Sequence, residues 1–230
     1  DDDTITVNGL NTSTVNGNKG SDTITVTGNA FSSRIYGGSE NDTININGGT
    51  AVGSKFNGSK GGDTLAVAAG ANITGASVFG GEGADNITVA ATNSSTVYLS
   101  GDKGDDIITA TGLTVGGEVY SGTGDDFISV SGAAAADAFA VDAGTGADNL
   151  TVGTGTDTIT FLRGDSIAAT ATNFAVATAG SIESTDTITF GNGIDTITGF
   201  TTGTDEVDVD ITVPGALTVV ATADSTTTNT

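Results

Sequence analysis

The chain of 230 residues has no cysteine, no histidine, no methionine, no tryptophan and a single proline. Without cysteine there is neither a disulfide framework nor a thiol nucleophile. Without histidine the commonest general base is gone, and with it the commonest ligand for zinc or copper. Catalysis needs a nucleophile with a base, or a paired acid and base in a pocket. A glycosidase-like carboxylate pair is the one cheap option left, but the acidic residues fall in the phase of a repeat. No enzymatic activity is therefore expected. Cations are scarce too: 6 Lys plus Arg stand against 28 Asp plus Glu, for a formal net charge of −22. Such a surface repels nucleic acid and anionic membranes, and self-repulsion opposes compaction unless cations bind. No apolar run approaches the roughly 20 residues that span a bilayer, so no transmembrane segment is expected. The sequence opens at Asp1 inside a motif, DDDTITV, and reads as a piece of a longer or processed polypeptide.

What is abundant is order. Asp22, Asp42, Asp63, Asp85, Asp106, Asp126 and Asp148 follow one another at intervals of 20, 21, 22, 21, 20 and 22 residues. Each closes a short glycine-rich turn and is followed two residues later by Ile or Leu. A period near twenty is the signature of a solenoid in which each repeat is one coil stacked on the last. Acidic turns stacked on one edge form a column of oxygen ligands, which points to calcium.

Within each coil the apolar residues alternate. With the aspartate as position 6 of its turn, position 8 is Ile24, Ile44, Leu65, Ile87, Ile108, Ile128 and Leu150. Position 10 is Val26, Ile46, Val67, Val89, Ala110, Val130 and Val152. Two residues before position 1 stand Val15, Ile35, Phe56, Val78, Leu99, Val119 and Val141. Period-2 alternation makes these the inward rows of two strands flanking the turn. The expectation is two facing parallel sheets, with a longer irregular turn such as TGNAFSS (27–33) closing the other edge. Three or four aliphatic side chains per coil make a thin core for some twenty ordered residues. Something besides burial must hold the turns.

The turns read GNKGSD (17–22), GGSEND (37–42), GSKGGD (58–63), GGEGAD (80–85), GDKGDD (101–106), SGTGDD (121–126) and AGTGAD (143–148). They resemble the RTX nonapeptide, glycine-glycine-x-glycine-x-aspartate-x-aliphatic-x, and GGEGADNIT (80–88) matches at every defined position. The resemblance implies an all-β, calcium-stabilised parallel β-roll or β-solenoid, here with coils of 20 to 22 residues. It also implies a ligand set. The carboxylates would be Asp22, Asp42, Asp63, Asp85, Asp106, Asp126, Asp148, Asp157 and Asp195. The turn carbonyls would include Gly17, Gly20, Gly58, Gly61, Gly80, Gly81, Gly83, Gly101, Gly104, Gly122, Gly124, Gly144, Gly146, Gly153 and Gly155. RTX rolls usually carry a calcium turn on both edges every nine residues. Here one edge keeps the motif over 17–148, so six sites between seven turns are expected. A double-sided pattern occurs only at Asp148 and Asp157, and at Asp186 and Asp195. Glu40 replaces a glycine in its turn, SIESTD (181–186) has none, and Asp165 marks a degenerate turn.

Residues 1–161 are thus expected to form the solenoid, 162–200 degenerate repeats with an insertion, and 201–230 capping strands (211–220) and a tail (223–230). The segment 195–209 resembles the close of an RTX array in type I-secreted proteins. Composition is similar to that of RTX-type S-layer proteins. The expected function is a secreted, calcium-binding structural protein of the bacterial cell surface that self-assembles or meets neighbouring domains. The alternatives are the carboxy-terminal RTX domain of a secreted hydrolase or toxin, and an adhesin or filament subunit. Arg163-Gly164-Asp165 spells an adhesion tripeptide, which a chain rich in Gly and Asp produces by chance. Tyr36, Phe79, Tyr98, Tyr120 and Phe127 fall on outward positions, and Tyr36, Phe79 and Tyr120 share one repeat position. Those three are expected to line a face that packs against another copy or domain.

Overall fold

The computed structural model describes residues 1–93, 95–132, 138–161, 188–189, 196–199 and 205–209. Among them every regular element is a β-strand. Alternating Thr and Ile or Val after each turn, as in Thr23–Val26 and Asn86–Val89, suits a pleated strand with one face buried. Each coil approaches its acidic turn on one strand and leaves on another. The leaving strands, from Thr4–Val7 through Asn149–Thr151 to Thr196–Thr198 and Ile188–Thr189, stack into a ten-stranded exit sheet. The approaching strands, from Thr14–Lys19 to Glu206–Val209, make a nine-stranded approach sheet. We number the coils 1 to 7 by their aspartates, from Asp22 to Asp148.

Pairing between coils is parallel and in register. Ile24 lies beside Ile44, Ile44 beside Leu65, and Leu65 beside Ile87. The Asp spacing of 20 to 22 residues is therefore the length of one coil. The inward rows anticipated from the alternation are the core. Ile24, Ile44, Leu65, Ile87, Ile108 and Ile128 are fully buried, as are Ile35, Phe56, Val78, Leu99 and Val119.

Two features depart from the two-sheet expectation. The irregular edge of the early coils contains a third, four-stranded sheet: Leu10–Asn11, Ala30–Phe31, Thr50–Val52 and Asn72–Thr74. It supplies a further inward row, Ala30, Ala51 and Ile73. These strands have only two or three residues, too few for alternation to show in the sequence. The second departure is near the end of the array. Thr196–Thr198 continues the parallel stacking on Asn149–Thr151, but Ile188–Thr189 runs antiparallel to it. Asp165, Asp186, Asp195, the turn 181–186, the strands expected over 211–220 and the tail 223–230 lie outside the described residues.

Candidate metal centre: the aspartate ladder

The turn between approach and exit strands is built from alternating backbone signs. Positions 2 and 4 take positive φ, at Gly81 (119°) and Gly83 (130°) for example. Glycine adopts this region without a Cβ penalty. Glu40, in place of a glycine, still takes φ 83°, so its turn keeps the same path. Close stacking adds a second constraint. A Cβ on Gly61 would strike the Glu40 carbonyl, and one on Gly83 the Gly61 carbonyl, each one coil back. Gly20, Gly104, Gly124 and Gly146 occupy the same position 4, while Gly122 and Gly144 share position 2 with Gly81.

This geometry turns each position-6 aspartate inward. Asp22, Asp42, Asp63, Asp85, Asp106, Asp126 and Asp148 are all buried, with at most 2% of their surface exposed. One carboxylate oxygen of each accepts a hydrogen bond from the backbone N–H of the equivalent residue one coil earlier. The Asp3 amide donates to Asp22 at 2.7 Å, Asp22 to Asp42 at 2.8 Å, and Asp42 to Asp63 at 2.7 Å. Asp63 donates to Asp85 at 2.6 Å, Asp85 to Asp106 and Asp106 to Asp126 at 2.8 Å, and Asp126 to Asp148 at 2.9 Å. The aspartates thus form a continuous ladder along the solenoid, not a set of independent turn caps.

The other oxygen, Oδ2, is the chemically open one. In Asp22, Asp42, Asp63, Asp85 and Asp106 it is buried and accepts no hydrogen bond. In each of these coils position 1 is a glycine: Gly17, Gly37, Gly58, Gly80 and Gly101. A Cβ there would collide with that same Oδ2. The bare glycine leaves a cradle in which Oδ2 rests, and a carbonyl of the next coil reaches the same cradle. It belongs to Gly37 for Asp22, Gly58 for Asp42 and Ser121 for Asp106. Coils 6 and 7 differ. Ser121 and Ala143 stand at position 1, so a side chain occupies that space. The Ser121 hydroxyl donates to the Ala143 carbonyl and lies beside Asp126.

Burial without a donor disfavours the charged form. It pushes the Asp63 carboxyl up to about 6 and those of Asp85 and Asp106 up to about 7. The backbone hydrogen bond opposes the shift, and neighbouring carboxylates reinforce it. Asp42 and Asp126 are raised by the same burial. A stack of inward carboxylates must be neutralised by protons or by cations. The donor set, carboxylate and peptide oxygen only, has the hard character that Ca²⁺ selects. Among the described residues no three acidic side chains converge closely enough to hold a metal by themselves. An ion here would depend on turn carbonyls as much as on carboxylate.

Asp157 does not join this column. It precedes Thr158–Phe161 of the approach sheet and so sits on the opposite edge, with Gly153 and Gly155 in the turn before it. A shorter ladder recurs there. The Phe139 amide donates to Asp157 at 3.0 Å, and the Asp157 amide to Asp205 at 3.1 Å. Asp205 was not singled out from the sequence. It lies 48 residues from its partner, and only its place before the strand Glu206–Val209 hinted at the role.

Compared with known proteins, the chain matches no protein family, no curated protein and no solved structure.

Proposed function

We propose that this chain is a calcium-binding structural β-solenoid of the bacterial cell surface, a secreted component of an S-layer-like assembly. One observation carries the calcium reading: five successive ladder carboxylates each hold a buried oxygen without a donor above a glycine cradle, in a chain of net charge −22. The resemblance of the turns to RTX repeats supports the same ion and the same location. Asp22, Asp42, Asp63, Asp85 and Asp106 would supply carboxylate oxygen, and the position-1 carbonyls peptide oxygen. Bound Ca²⁺ supplies the positive charge that lets these carboxylates stay ionised inside the turn. Binding to a site absent from the unfolded chain adds directly to folding free energy. The proposed role is therefore mechanical, a stiff rod that forms where calcium is plentiful.

Circular dichroism with excess chelator tests this at neutral pH. The expected result is loss of the β-type spectrum, recovered by Ca²⁺ and much less by Mg²⁺, which demands a tighter octahedral shell. A spectrum and melting temperature unchanged by exhaustive chelation would show that protons, not cations, neutralise the ladder. A catalytic domain on the same polypeptide would instead favour the secretion domain of a hydrolase.

A further inference from the structure

Every lysine and arginine among the described residues lies on the approach sheet: Lys19, Arg34, Lys55, Lys60 and Lys103. The strands of the other two sheets carry no charged residue among those described. Four aromatics, Tyr36, Phe79, Tyr98 and Tyr120, gather on the outward face of the approach sheet, while Phe31 and Phe127 stand exposed on the other two sheets. Register puts Tyr36, Asn57, Phe79, Ser100, Tyr120 and Asp142 in one row. Tyr98, from the adjoining row, bridges Phe79 and Tyr120 with ring centroids 5.3 and 5.1 Å away. Lys55 caps this stack, its Nζ 4.0 Å from the centre of Phe79. Charge is graded along the face. Arg34 and Lys55 mark coils 2 and 3, while Glu118 and Asp142 mark coils 6 and 7. Arg34, Lys55 and Glu118 form no ion pair among the described residues, whereas Glu82 pairs with Lys60 and Lys103.

We infer that this face binds a second copy of the chain, face to face and with the solenoid axes opposed, about a two-fold axis between coils 4 and 5. The inference rests on the reading of the chain as an assembling structural protein. Like charges decide the register. A same-sense pair sets each coil opposite itself, basic coils on basic and acidic on acidic. An opposed pair centred on coil 4 sets Lys60 against Lys103 and Glu82 against Glu82; one centred on coil 5 sets Lys103 against Lys103. Centring between coils 4 and 5 sets Lys55 against Glu118, Glu82 against Lys103 and Arg34 diagonally against Asp142, each twice. It also sets Tyr36 against Asp142 and joins the Phe79–Tyr98–Tyr120 stacks of the two copies. An isologous contact of this kind closes on itself. Six coils at about 4.8 Å and a face about 17 Å across give roughly 1,000 Å² buried in all, the lower bound for a specific interface. The dimer is therefore weak and salt-sensitive.

Sedimentation velocity on the full chain in saturating Ca²⁺, with circular dichroism to check folding, tests it. The wild type should dimerise at low salt and dissociate at high salt. Lys55→Glu and Glu118→Lys should each weaken association about tenfold or more. The double variant should recover it, and so should a mixture of the two single variants, because each then offers the other its missing charge. A folded wild type that stays monomeric at every concentration, or a mixture that does not associate, overturns the pairing. A folded monomer that still responds to chelation would leave the calcium reading intact. Dimers that form and stay folded in chelator would do the reverse.

Discussion

The backbone amide of Asp85 donates to the carboxylate of Asp106 one coil further on, at 2.8 Å, while Asp85 itself accepts from the amide of Asp63 at 2.6 Å. Each ladder residue from Asp22 to Asp126 is thus donor to one neighbour and acceptor for the other. The role of acceptor needs one oxygen, and the second is left over for an ion or a proton.

Asparagine and alanine at position 85 separate the two roles. Asp85→Asn keeps an oxygen to accept from Asp63 and removes a buried charge. Asp85→Ala leaves the Asp63 amide unsatisfied, at a cost of about 1–3 kcal/mol. In chelator at pH 5, where protonated ladder carboxyls keep the metal-free chain folded, thermal melts should place Asp85→Ala below the wild type and Asp85→Asn close to it. Titration calorimetry should show both variants binding fewer calcium ions than wild type. Unchanged stoichiometry in both would remove Asp85 from the metal site.

Stability of the metal-free protein should fall as pH rises. Burial raises the folded-state carboxyls of Asp63, Asp85 and Asp106 from the ordinary 3.8 to about 6 or 7. The folded chain then binds more protons than the unfolded one between those values, so stability present near pH 4 is lost as pH rises toward 7. Melting temperatures in chelator should decline over that window. Added Ca²⁺ should flatten the decline, because its effect grows with the fraction of ionised ladder carboxylate. A metal-free melting temperature that rises from pH 4 to 7 contradicts the buried ladder.

Two glycines should respond oppositely to alanine. Gly61 has φ 131° and a would-be Cβ against the Glu40 carbonyl, so Gly61→Ala should destabilise by about 2 kcal/mol or more. Gly70 has nothing within 4 Å of its would-be Cβ, so Gly70→Ala should be neutral or stabilising by about 0.4–1 kcal/mol. Chemical denaturation of the two variants in saturating Ca²⁺ gives the comparison.

The cradle has its own test. Gly58→Ala puts a methyl group against Asp63 Oδ2, whereas coils 6 and 7 already carry Ser121 and Ala143 at that position. Gly58→Ala should lower both stability and calcium stoichiometry. Ala143→Gly, which removes a side chain in coil 7, should leave the β-type spectrum intact. Equal calcium stoichiometry in wild type and Gly58→Ala would show that the space over glycine is not part of the site.

The coil length, the inward rows and the acidic turn were legible because each is local and repeated. Ile24, Ile44 and Leu65 announce their row by recurring after every aspartate, and the turn glycines by recurring before it. Tyr36, Phe79 and Tyr120 could be placed in one row for the same reason. What the tertiary structure alone decided depends on contacts between coils. The strand Ala30–Phe31 is too short to show a period, and becomes a strand only because Leu10–Asn11 and Thr50–Val52 lie beside it. The nine-residue step from Asp148 already set Asp157 on a second edge, but its partners there, Phe139 and Asp205, come together only when the coils stack. The division of each carboxylate into a bonded and an open oxygen is likewise invisible in the turn itself. It is set by an amide twenty or so residues away, brought into reach by the 4.8 Å step of parallel strands. The gathering of five cations on one sheet has the same origin: scattered from Lys19 to Lys103 along the chain, they become a surface only when the coils stack.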